Sequence, residues 1–82
     1  MDTDGVFEII LRFLDGEELR GLVDRTTIAR DVMEFVVAHR QLVGIDLMRV
    51  RILYNGVHLH CVYNLSRFGV RPGSILEVVI AS

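Results

Sequence analysis

The stretch "HLHC", His58 to Cys61, holds the side chains best suited to bind a metal or act as a nucleophile. Two histidines one residue apart share a face of an extended strand, with a thiol beside them. A structural zinc site needs four ligands, and the only other histidine, His39, falls in a helical stretch. A cysteine–histidine catalytic pair needs a third group to orient the base and a cleft to exclude water, and the pattern supplies neither. His58 and His60 therefore read as exposed edge residues and Cys61 as a plain thiol. In "LDGEE" (Leu14 to Glu18), Glu17 and Glu18 are successive strand residues and should point to opposite sides, which makes a poor acid–base pair. No glycine-rich run links a strand to a helix, so no phosphate cradle is expected. The expectation is a protein that is not an enzyme and takes no cofactor or metal.

The chain has 82 residues, enough for a single domain (1–82, with 1–5 expected to be flexible) near the lower limit for folding unaided. Half of the residues are hydrophobic (51%) and 24% are charged, the balance of a globular protein and not of a disordered one. Net charge is −2 and the arginines are scattered, so the basic stripe of a nucleic-acid binder is missing. No apolar run approaches the roughly 20 residues of a membrane-spanning helix. The acidic start "MDTDG" does not read as a secretory signal. A lone Cys61 cannot form an internal disulfide, so a cytoplasmic or nuclear protein is expected, and a monomer is the expected state. All nine basic side chains are arginine. Either codon composition favours arginine, or the surface offers no ε-amine for isopeptide formation.

The elements that must carry these residues follow from periodicity. Phe7, Ile9, Leu11 and Phe13 alternate with Glu8 and Arg12, the pattern of a strand with one buried face. Asp15-Gly16 signals a hairpin, and a second strand runs through Leu19 and Val23, weakened at Gly21. From Thr26 the period changes: Ile28, Val32, Phe35, Val36 and His39 fall on one helical side, widened by Met33 and Val37. Thr26 or Thr27 is the expected cap, and Gly44 the residue that helps end the connection. "RVRILYNG" (Arg49 to Gly56) gives a third strand and a tight Asn55-Gly56 turn, and "VHLH" (Val57 to His60) a short edge strand. The turn-rich segment to Gly73 holds one helical turn near Leu65, and "SILEVVIAS" closes with a strand. The order is β-β-α-β-β-β, an α+β mixed sheet crossed by one helix.

This order and spacing resemble ubiquitin and its relatives, the β-grasp fold. The match is densest in "RILYNGVHLHCVYNLSRFGVRPGSILEVVI", Arg51 to Ile80, which is similar without a gap to the second half of ubiquitin. It has an arginine-led strand, an aromatic–small–glycine turn, leucines at 59 and 65, an aromatic at Phe68, an aliphatic at Val70 and a closing strand. Gly44-Ile45 and the first hairpin, Phe7 to Glu17, match in their own registers, while the helix and its exit are longer by about one turn. The resemblance implies a core of Phe7, Ile9, Leu11, Leu19, Val32, Val36, Ile52, Leu59, Leu65, Val70, Leu76 and Val78, most of which alternation also places inside.

If Ile52 and Leu76 point in, Leu53 and Val79 point out. With Leu14 on the hairpin tip, these positions correspond to the apolar patch by which ubiquitin-like proteins are recognised. Arg51 and Glu77 would form its polar rim, and Ile45 and Ile80 would extend it toward a second apolar area. The departures are informative. Glu77 stands where ubiquitin has a histidine, Val57 and Pro72 replace two chain-building lysines, and Phe68 lacks the hydroxyl with which the matching tyrosine ties a loop. Ala81-Ser82 stands where conjugating members carry two glycines, which thread an enzyme cleft because they have no side chain.

The resemblance thus implies a non-conjugating interaction domain, part of a longer protein, that docks on ubiquitin-binding domains or proteasomal receptors. Two other readings are weighed beside it. A covalent modifier would need a Gly-Gly end beyond Ser82. A Ras-association-like domain would use Arg12 and Arg20 against an acidic GTPase edge, opposed by Glu17 and Glu18. A Phox-and-Bem-type pairing domain would need a dense acidic cluster that the chain lacks.

Overall fold

The computed structural model describes residues 5–81. The expected flexible start therefore lies outside the described residues except for Gly5, a turn residue with φ 88°, and Ser82 of the tail lies outside them too.

β1 (Phe7–Phe13) and β2 (Glu18–Val23) form the first hairpin. Phe13 N–H donates to the Glu17 carbonyl at 2.8 Å and Gly16 N–H to the Phe13 carbonyl at 3.0 Å. Gly16, at φ 95°, takes the left-handed conformation that lets a three-residue loop close on a bulge. α1 (Ala29–Arg40) crosses the sheet, a 3₁₀ turn (Leu47–Arg49) leads into β3 (Val50–Tyr54), and Asn55 and Gly56, both at positive φ, make the tight turn to β4 (Val57–His58). A second 3₁₀ turn (Leu65–Phe68) precedes β5 (Ile75–Ile80). The strand order is β2-β1-β5-β3-β4. β1 and β5 are parallel, and the other pairs are antiparallel.

Strand period decides what α1 covers. Leu11 sits opposite Leu19 and Leu76, Phe13 opposite Val78, and Ile52 opposite Val78 from the other side. These inner-face side chains meet Ala29, Val32, Met33 and Val36 of the helix, and Leu59, Leu65 and Val70 close the ends of the core. Ten of the twelve expected core residues are buried; Phe7 and Leu19 pack against the core while staying half exposed, because they lie on β1 and β2 near the sheet's open edge.

Three local expectations are corrected. The buried helical stripe is Ala29-Val32-Met33-Val36, whereas Phe35 and His39 lie outside it. Phe35 instead leans over the β2 edge, its ring 3.5 Å from where a Cβ on Gly21 would stand. Neither threonine caps α1. Thr26 and Thr27 bind the Asp24 carboxylate within the preceding turn, and Asp31 accepts the Ile28 N–H at 3.1 Å. The helix's free amides find partners elsewhere: Ala29 N–H donates to the Tyr63 carbonyl at 3.1 Å and Arg30 N–H to that of Cys61 at 3.0 Å. At the other end Gln41 takes the left-handed cap conformation at φ 53°, and Gly44, at φ 79°, turns the connection beyond it as expected. The edge strand is also shorter than expected, ending at His58, with Leu59 buried just beyond it.

Candidate interaction surface

The outer face of the sheet is built by the residues that alternate with the core. One row crosses all five strands: Glu18 faces Arg12, Arg12 faces Glu77, Glu77 faces Leu53, and Leu53 faces His58. In the next row Val79 faces Arg51. Leu53 and Val79 are thus diagonal neighbours on β3 and β5, and Arg51 and Glu77 occupy the opposite diagonal. Leu53 and Val79 are half-buried by their neighbours, and Arg51 and Glu77 are exposed. Arg12 is turned to Glu18, with Nε 3.1 Å from Oε2, and Arg20 reaches Glu8 at 3.6 Å. Among the described residues, neither Arg51 nor Glu77 takes part in an ion pair.

Leu14 follows directly on the Phe13–Val78 pair and is 80% exposed. It borders a shallow hollow shared with Phe13, Val78, Ile80 and Arg40. The hairpin tip that carries it is held from the helix side. Arg40 Nη2 lies 2.7 Å from Glu17 Oε1 and 3.1 Å from Asp15 Oδ2, and His39 Nε2 lies 2.9 Å from Glu17 Oε2. The Arg40 guanidinium also rests 4.0 Å above the Phe13 ring. Asp15 is held below the ordinary carboxylate range by the Glu17 backbone N–H and then by Arg40. Glu17 is lowered by its hydrogen bond to His39 and then by Arg40. Glu17 and Glu18 do diverge: Glu17 serves this latch while Glu18 pairs with Arg12 on the outer face. The expected helix stripe includes His39 but not Arg40, and the hairpin carboxylates read only as a poor acid–base pair, so the latch does not show in those readings. Its signal was the basic pair at the helix end facing two acidic residues in the hairpin.

Of the expected patch, the structure brings together Leu53, Val79, Arg51 and Glu77, while Leu14 stands on the hairpin tip beside the hollow. Ile80 does not join the outer face, but it meets Leu14 at the hollow on the helix side. It is in phase with Leu76 and Val78, so it lies on the helix side and packs against the core. Ile45, in the connection after α1, also packs against the core, away from the outer face. Tyr54 Oη lies 3.3 Å from Ser74 Oγ, which accepts the Arg71 N–H at 2.9 Å and so holds the 71–74 turn against β3.

His58 and His60 lie with ring centroids 5.8 Å apart, both exposed, and Tyr63 stands edge-on to His60. Among the described residues no three histidine, cysteine or acidic side chains converge on one point.

No protein-family model matches the sequence, and no curated protein matches it. Solved structures do match. One is a protein designed de novo on the basis of ubiquitin, which aligns with a TM-score of 0.79 at 26% identity over 96% of this chain and 93% of that one. The element order, the parallel β1–β5 pair and this likeness establish a ubiquitin-like β-grasp fold.

Proposed function

We infer that this domain is a non-enzymatic docking module of the non-conjugating type that engages other proteins without covalent attachment. The observation that carries the reading is the Leu53–Val79 diagonal. Two aliphatic side chains stand on the outer face of central strands, where the fold itself requires no apolar residue. Leu14 at the neighbouring tip enlarges the apolar surface, and Arg51 and Glu77 rim it. A patch of this size gives weak, fast-exchanging complexes in which a few anchors set the affinity. The partners proposed are ubiquitin-binding domains and proteasomal receptors, met by a monomer in the cytoplasm or nucleus as part of a longer protein, with no cofactor, membrane or nucleic acid involved. The Ras-association alternative is disfavoured because Arg12 and Arg20 are already engaged by Glu18 and Glu8.

An amide chemical-shift titration of the labelled domain with a ubiquitin-interacting helix peptide tests the reading. Shifts confined to Leu14, β3 and β5 support it. Absence of shifts, or shifts centred on α1, would remove it.

A further inference from the structure

The four central residues of the outer face form a checkerboard. Arg51 lies directly across from Val79, and Leu53 directly across from Glu77, so the apolar diagonal separates one cation from one anion. Cross-strand diagonals of this kind span about 7–8 Å, somewhat less between Cβ atoms, within reach of side chains about 5–6 Å apart along one face of a helix. Among the described residues neither Arg51 nor Glu77 is held in an ion pair: Arg12, opposite Glu77, pairs with Glu18 at 3.1 Å. The backbone adds nothing to recognition here. β5 is paired with β1 and β3, and β3 with β5 and β4, so the face presents side chains alone. A partner covering it must arrive with its own backbone hydrogen bonds satisfied, which a helix does and an extended strand does not.

We propose that the occupant is a partner helix with a narrow apolar stripe flanked on one side by acidic residues, over Arg51, and on the other by basic residues, over Glu77. This rests on the docking reading above and assigns the partner's chemistry. The charges select, because a mismatched flank replaces attraction by repulsion and leaves a charge unpaired.

The test uses three synthetic stapled helices with one alanine–leucine stripe: one flank lysine and the other glutamate, both flanks lysine, or both flanks glutamate. Binding to the labelled domain is followed by chemical shift at low salt. The mixed helix should bind roughly five- to tenfold more tightly than either uniform one, the ratio expected when one exposed ion pair is exchanged for a repulsion. In Glu77→Arg, whose amide spectrum verifies the fold, the all-glutamate helix should become the tightest. Affinities within twofold of one another, on a face that Leu53→Ala abolishes, would overturn the charge assignment and leave docking intact. Failure of all three helices to bind would overturn both.

Discussion

Ile52 and Leu53 are neighbours on β3, yet they belong to two different surfaces. Ile52 points under α1 and is fully buried opposite Val78; Leu53 points away, opposite Glu77, and stays partly exposed. The inner face is continuous and apolar across β1, β5 and β3, sealed by the helix stripe. The outer face interleaves aliphatic side chains with charges that pair across neighbouring strands or, among the described residues, stay out of ion pairs. One face fixes the fold by excluding water, and the other keeps apolar area in water at little cost to stability. The side chains that hold the domain together and those proposed to recognise a partner are therefore separable by mutation, although they alternate along the same strands.

The sharpest way to break that comparison is a truncation on each side. Ile52→Ala should cost about 2–5 kcal/mol, the price of a lost buried side chain plus its cavity, read from urea midpoints. Leu53→Ala should cost less than about 1 kcal/mol in the same experiment. Similar costs at both positions would mean that the outer face is also core.

A smaller effect sharpens the boundary between the faces. Arg40 stacks on Phe13 and ties Asp15 and Glu17, so Arg40→Ala should lose about 1–2 kcal/mol through packing and paired charge. Arg20→Ala on the outer face should stay within about 0.5 kcal/mol, because its ion pair is open to solvent. Thermal melts of both variants distinguish the cases; equal midpoints would deny the latch any special standing.

Acid titration refines the same point. Asp15 and Glu17 bind protons less readily when folded than at their ordinary values of 3.8 and 4.5. A depressed carboxylate contributes stability above its unfolded value and loses it as pH falls through the folded one. Melting temperature should therefore drop as pH falls from about 5 toward 3, less steeply in Arg40→Ala, where part of the depression is gone. An unchanged slope in that variant would show that Arg40 does not sustain it.

The strands were legible because period two allows only one inner set once a single residue is placed. The same rule puts Ile80 with Leu76 and Val78, so it reaches Leu14 from the helix side and not from the outer face. The helix was less legible. Val32 and Val36 fit two stripes, and only tertiary packing chooses Ala29 and Met33 over Ile28 and Phe35. Its cap is only half local: Asp31, three residues on, accepts the Ile28 N–H, but the carbonyls of Cys61 and Tyr63 that receive the first amides lie far along the chain. Leu53, Val79, Arg51 and Glu77 were found by alternation together with resemblance, whereas their checkerboard depends on a β3–β5 register that pairs distant segments.

The separation of folding from docking is tested most directly by one sample measured twice, Leu53→Ala in urea and in titration with a ubiquitin-interacting helix. A midpoint close to that of the unmodified domain, with the β3 and β5 shifts lost or affinity weakened at least about tenfold, is the expected result for a truncated anchor. A large loss of stability with binding retained would contradict the account, placing Leu53 in the core and the recognition surface elsewhere.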